Sequence, residues 1–161
     1  MSKIAIYPGS FDPLTIGHLS VLGRGSSLFD RVILAVVHNP SKKPFFNQDK
    51  RLQAAMTAVQ EAGLANVEVV AVDHGLLVDA ATKLGATAII KGFRNSADID
   101  YELPMAEVNR DLGGIETVFM PAAIQHGFVS SSLVRQVFEL GGDVSGYVPE
   151  SVLKMMQEEK R

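Results

Sequence analysis

Short runs rich in Val and Ile alternate along the chain with longer stretches in which apolar positions recur every three or four residues. Residues 3–7, closed by Pro8-Gly9, and residues 31–37, closed by Asn39-Pro40, read as buried strands. Between them, residues 17–29 bring Leu19, Leu22 and Leu28 toward one side of a helix, and similar spacing predicts helices over 48–62 and 76–84. Residues 67–72, 86–90 and 116–120 supply three more strands separated by a helix each, and two further helices are predicted near 131–140 and 149–159. Runs that are apolar at successive positions are buried on both faces. Strand–helix alternation of this kind predicts an α/β fold with a doubly wound, five-stranded parallel sheet. With no repeat, linker or low-complexity segment, residues 1–161 read as a single domain.

Composition changes this picture little but removes several functions from it. Hydrophobic residues make up 47% and charged residues 20% of 161, the balance of an ordinary globular protein that can bury one sizeable core. A formal charge of −3 offers no general attraction to nucleic acid or an anionic membrane. Phosphate binding would therefore need a local cluster of Lys, Arg and backbone N–H groups. Cysteine is absent, which excludes disulfides, thiolate catalysis and cysteine-ligated metal sites and fits a reducing compartment. Met1-Ser2-Lys3 runs straight into a strand-like stretch, and no apolar run is long enough to span a bilayer. The expectation is a cytoplasmic protein with neither nucleic acid nor membrane as partner.

Candidate chemistry concentrates after the first strand. In an open α/β sheet ligands bind beyond the carboxyl ends of the strands, where residues 9–18 lie. Gly9 permits close backbone approach, Ser10 offers a hydroxyl and an N–H, and the free N–H groups opening the next helix favour an anion. The segment is neither a Walker loop nor a dinucleotide fingerprint, because the glycine spacing and the P-loop lysine are both missing. A lone histidine is more often a surface or core residue than a functional one. His18, directly after Thr15-Ile16-Gly17, instead stands where a phosphoryl group would sit. Asp12 has two readings, a loop-bracing acceptor or a magnesium-shell ligand.

Other polar groups lie at strand ends. Lys42-Lys43 are a solvated turn or cations facing the crevice, whereas Lys91 and Arg94 follow Ile89-Ile90 directly, with Gly92 letting the backbone approach a ligand. Ser130-Ser131-Ser132 opens a helix, so capping and phosphate binding are compatible there. Glu102 is a ribose-hydroxyl acceptor or a solvated helix carboxylate. His38 and His74 suit turns, and histidines and carboxylates show no metal-ligand spacing.

Ser10-Phe11-Asp12-Pro13 followed by Thr15-x-Gly17-His18 resembles the signature of the T/HxGH nucleotidyltransferase superfamily. Asn39-Pro40-Ser41-Lys42-Lys43, Lys91-Gly92-Phe93-Arg94, Asp98-x-x-Tyr101-Glu102 with Asn109, and Phe128-Val129-Ser130-Ser131-Ser132 follow in that order. Over essentially the whole chain they resemble the phosphopantetheine adenylyltransferase family. The resemblance implies a Rossmann-like nucleotidyltransferase domain that transfers AMP from ATP to 4'-phosphopantetheine with Mg²⁺ present, giving dephospho-coenzyme A and pyrophosphate. It implies His18, Lys42 and Arg94 in catalysis, and Ser10, Lys42, Leu77 and Lys91 toward the phosphopantetheine. Toward ATP it implies Ser10, Phe11, His18, Gly92, Phe93, Arg94 and Glu102, with the stretch His126, Gly127, Phe128, Val129, Ser130, Ser131 and Ser132. No residue is assigned to a metal. A homohexamer of paired trimers and feedback by coenzyme A are further implications.

An ionised phosphate is already a nucleophile, so direct in-line attack without a covalent intermediate needs positioning and charge neutralisation rather than a general base. Two positions depart from the family pattern. Lys91 stands where arginine is usual, which gives up the bidentate fork. Pro104 is unexpected; with Asp100 as N-cap it falls in the first turn of a helix, where its missing N–H is harmless. Competing expectations are a cytidylyl- or adenylyltransferase with another small acceptor and a nucleotide-binding module without chemistry. The combination of His18, Ser10, Lys42, Lys91 and Arg94 speaks against the module.

Overall fold

The strand runs pair in parallel because each is followed by a helix that carries the chain back across the sheet. A computed structural model describes residues 1–161. It contains β1 Ile4–Gly9, α1 Ile16–Leu28, β2 Arg31–Val37, α2 Gln48–Glu61, β3 Val67–Val72, α3 Leu77–Lys83 and β4 Ala88–Phe93. The chain continues through α4 Ser96–Gly113, β5 Glu116–Pro121, a short 3-10 turn at Ile124–His126, α5 Ser131–Glu139 and α6 Glu150–Glu159. The five strands are all parallel in the order β3-β2-β1-β4-β5, as the alternation predicts. No helix is long and apolar enough to cross a membrane.

Alternate residues of each central strand serve opposite faces. Tyr7, Leu34 and Ile90 pack against Val21 and Leu22 of α1 and Ala55 and Ala58 of α2, while Ile6, Ile33 and Ile89 pack against Ala81 of α3 and Ile115. A third cluster joins Phe46 and Ala54 to Val134 and Phe138 of α5 and Val152 and Met156 of α6, so the C-terminal helices brace α2 from outside.

Strand order reverses between β1 and β4, and the two pair only at Ala5–Ala88 and Ile6–Ile89. Both strands run on. β1 continues through Pro8 and Gly9 in register with Ala35 and Val36 of β2, and β4 continues through Lys91, Gly92 and Phe93 in register with β5. Pro8 has no N–H to extend a ladder, so the strands separate there and leave a gap at their carboxyl ends. Two expected boundaries move accordingly: Pro8-Gly9 belongs to β1 instead of closing it, and Lys91-Gly92-Phe93 belongs to β4 instead of following it.

The helix before β5 also starts earlier than Asp100. Asn95 is its N-cap, with its side chain accepting from Asp98 N–H at 3.1 Å, and the helix runs for 18 residues. Asparagine is among the best capping residues, and Asp98 adds an acid to the positive first turn. Pro104 therefore lies inside the helix, where it cannot donate to the carbonyl of Asp100, and its exposed position leaves that carbonyl to solvent. Interior proline costs about 3 kcal/mol relative to alanine. Pro104→Ala should raise stability by about 1–3 kcal/mol, read as a higher urea midpoint at unchanged slope. An unmoved midpoint would show that the helix has already absorbed the ring without cost.

Candidate active site

The loop from Ser10 to Thr15 turns sharply out of β1. Phe11 adopts a left-handed backbone with φ +47, an outlier for a bulky residue that costs on the order of 1–3 kcal/mol and persists only where its surroundings impose it. The Phe11 ring is buried edge-on to Tyr7, with centroids 5.4 Å apart, and a Cβ at Gly9 would meet it at 2.9 Å. Gly9 thus makes room for Phe11. Asp12 is buried and accepts from Phe45 N–H at 2.7 Å through one carboxylate oxygen and Phe46 N–H at 2.8 Å through the other. Of its two readings, the geometry supports the loop brace.

Thr15 caps α1, and His18 completes a capping box. The Thr15 hydroxyl accepts from His18 N–H at 3.3 Å, and His18 Nδ1 accepts from Thr15 N–H at 3.0 Å. A backbone N–H can only donate, so Nδ1 is unprotonated and the ring proton of the neutral imidazole sits on Nε2. Phe11 meets the ring edge-on at 5.0 Å. Burial, as the larger cause, and the positive Arg94, as the smaller, hold the His18 pKa down from 6.5 to about 4. At neutral pH His18 is an uncharged donor.

Two cavities flank this ring. The larger, about 340 Å³, fills the gap between β1 and β4 and is walled by Lys91, Gly92, Phe93, Arg94, Glu102 and His126, with Val129, Ser130 and Ser131 across from them. The smaller, about 160 Å³, gathers Ser10, Lys42, Lys43 and Ser132 with Arg51 and Arg135. Phe11, His18 and Ser131 line both and form their shared wall. Leu77, Gly127 and Phe128 line neither. Leu77 packs against the α3-side core, and the Phe128 ring meets Tyr147 at 5.6 Å.

Several expected side chains are already engaged. Arg94 donates through Nε at 3.1 Å and Nη2 at 3.2 Å to the Asp98 carboxylate, and that side-chain hydrogen bond, first among several causes, holds the Asp98 carboxyl below the usual carboxylate range. Asp98 aims the guanidinium along the crevice wall. Lys91 Nζ lies 3.4 Å from Glu102, so cation and carboxylate enter the crevice as a pair. The Ser130 hydroxyl caps α5 by accepting from Leu133 N–H, and Ser131 donates to the Pro13 carbonyl at 2.8 Å. Ser132, which lines the smaller cavity, accepts from Arg135 through its hydroxyl. Gly92 has a packing role: a Cβ there would meet Val21 of α1 at 3.1 Å. His126 Nδ1 is buried without a protein partner beside the crevice.

Arg51, Arg135 and Asp98 were not among the expected site residues. Arg51 has a readable signal. It shares the buried stripe of α2 with Ala54, Ala55, Ala58 and Val59, and a charge at a core position of a helix calls for a partner.

A profile of the cytidylyltransferase-like family matches residues 6–137. A phosphopantetheine adenylyltransferase of Clavibacter michiganensis is 48% identical over 153 residues, covering 94% of each chain, and one of Leifsonia xyli is 46% identical over 156 residues, covering 97% of this chain and 98% of its own. In fold, the chain is similar to the Plasmodium falciparum nicotinic acid mononucleotide adenylyltransferase, with a TM-score of 0.76 at 14% identity, covering 98% of this chain and 96% of that one. The chain belongs to the phosphopantetheine adenylyltransferase family, within the cytidylyltransferase-like nucleotidyltransferases.

Proposed function

We propose that the protein transfers the adenylyl group of ATP to 4'-phosphopantetheine, giving dephospho-coenzyme A and pyrophosphate. The observation that carries this reading is the position of His18, a neutral Nε2–H donor in the wall shared by two cavities. A nucleotide in the larger crevice and a phosphomonoester in the smaller, basic one would bring the α-phosphorus and the attacking oxygen together at that ring. The family relatives carry the same activity in their names.

In this reading an oxygen of the acceptor phosphate attacks the α-phosphorus in line, a new P–O bond forms, and the bond to the β-phosphate oxygen breaks as pyrophosphate leaves. No proton need be removed from the nucleophile. His18 donates to a non-bridging α-phosphate oxygen as charge gathers there, and Arg94 adds positive charge from the crevice side. Lys42 and Ser10 hold the acceptor phosphate, and Lys91 faces it from β4 once a ligand separates it from Glu102. Backbone N–H groups of Ser131 and Ser132, at the start of α5 where no helical partner exists, serve the β- and γ-phosphates. Glu102, Gly92, Phe93, His126 and Val129 serve the nucleoside end.

No group of three or more His, Asp or Glu residues is arranged to hold a metal, and both oxygens of Asp12 are committed. Mg²⁺ is assigned to the nucleotide as part of the substrate. A cytoplasmic hexamer with feedback by coenzyme A completes the reading. In support of assembly, Tyr101, Met105, Val108 and Leu112 form an exposed apolar stripe at helical spacing along α4.

Pyrophosphate release with ATP or CTP and a panel of phosphopantetheine, glycerol phosphate and nicotinate mononucleotide tests the assignment. Robust release with ATP and phosphopantetheine is expected. Turnover of glycerol phosphate or the mononucleotide, with none for phosphopantetheine, would overturn it.

A further inference from the structure

Arg51 is the one cation of the smaller cavity that the protein has taken out of water. The residue is 3% exposed, its side chain reaches from α2 beneath the first loop, and Nη1 donates to the Ser10 carbonyl at 2.9 Å and the Val37 carbonyl at 3.0 Å. Nε is buried without a partner, and Nη2 makes no hydrogen bond within the protein. None of the six ion pairs includes Arg51. Asp12, the carboxylate in the same wall, spends its oxygens on Phe45 and Phe46 and lies outside ion-pairing distance.

A guanidinium keeps its charge in proteins, and burying a charge is strongly unfavourable unless something supplies a counter-charge. Two carbonyls orient this one but do not neutralise it. The other cations differ. Lys42 and Lys43 are exposed and hydrated, and Arg135 is engaged by the Asp12 carbonyl and Ser132. Arg51 is preorganised by contrast, so it loses little freedom when an anion arrives.

We infer that Arg51 is the buried counter-charge of the acceptor phosphate: it tethers Ser10 through Nη1 and presents Nη2 to the phosphomonoester, selecting the phosphorylated acceptor over its dephosphorylated form. This rests on the transferase reading above. Lysine at this position keeps a charge but cannot span the Ser10 carbonyl, the Val37 carbonyl and a phosphate together.

The test compares 4'-phosphopantetheine with pantetheine by titration calorimetry on the wild-type protein, Arg51→Lys and Arg51→Met, with ATP KM measured alongside. The preference for the phosphorylated arm should fall at least tenfold in both variants, with pantetheine affinity and ATP KM within about threefold of wild type. Equal losses for both arms, or an unchanged preference, would reduce Arg51 to a loop support and overturn the inference. Should the variants fail to fold, a crystal structure of wild type with phosphopantetheine decides. Nη2 within hydrogen-bond reach of the phosphate supports the inference, and a phosphate held elsewhere overturns it. A wild type that ignores phosphopantetheine but adenylylates another phosphomonoester overturns the acceptor assignment alone, and the same preference measured with that acceptor then decides on Arg51.

Discussion

Replacing His18 by alanine should cut turnover about a hundred- to a thousandfold while leaving ATP affinity nearly unchanged, the cost of losing one preorganised donor aimed at developing charge. The same substitution removes half of a capping box, because His18 Nδ1 is the acceptor for Thr15 N–H. A stability loss of roughly 1 kcal/mol should accompany the loss of rate. His18→Gln separates the two effects. Glutamine at this helix position can accept from the capping residue's N–H, so it should recover most of the stability. With its oxygen so engaged, it places no donor where the rigid imidazole holds Nε2, and turnover should stay low. Wild-type turnover by either variant would remove His18 from the transfer step.

The depressed pKa of His18 adds a pH signature. The unfolded chain takes up this proton near 6.5 and the folded chain only near 4, so between those values the unfolded state binds more protons. Stability contributed by this group is complete above about 6.5 and is lost as pH falls toward 4. His18→Gln should flatten that part of the urea-stability profile. In the wild type, kcat/KM, which reports the free enzyme, should show no imidazole inflection between pH 5 and 8 from this residue.

The motif around His18 was legible because its logic is local: a capping threonine, a glycine and a donor one helical turn apart. The sheet was equally legible, since buried parallel strands impose their composition directly on the sequence. Other features depend on contacts between distant segments. The extension of β4 through Lys91 and Phe93 is set by pairing with β5, and the purpose of Gly92 is set by Val21. Pro104 points to a helix start at Asp100, whereas Asn95 is the cap and the helix carries the proline in its interior. Ser130 to Ser132 look equivalent in sequence, yet one caps, one braces Pro13 and one remains beside the cavity. Arg51 needed the fold, because only the fold shows that no carboxylate reaches it.

Asp12→Ala should be the most disruptive single change at the loop. It leaves the N–H groups of Phe45 and Phe46 without acceptors; an unsatisfied buried donor costs about 1–3 kcal/mol, and the Phe45 N–H, only part-buried, costs less than that of Phe46, so a loss of about 2–4 kcal/mol is expected. The consequence extends beyond stability, because this carboxylate ties the first loop to the segment leading into α2 and so helps impose the left-handed backbone of Phe11. With the tie gone, Phe11 can relax toward an ordinary conformation and withdraw its ring from Tyr7 and His18. Turnover should therefore fall at least tenfold even below the unfolding transition. Asp12→Asn should be intermediate, since an amide oxygen can accept one N–H while its NH₂ confronts the other. A magnesium ligand would behave differently: Asp12→Ala would leave the urea midpoint in place and raise the Mg²⁺ concentration needed for half-maximal rate. Urea unfolding and a magnesium titration of the two variants thus separate a loop brace from a metal ligand.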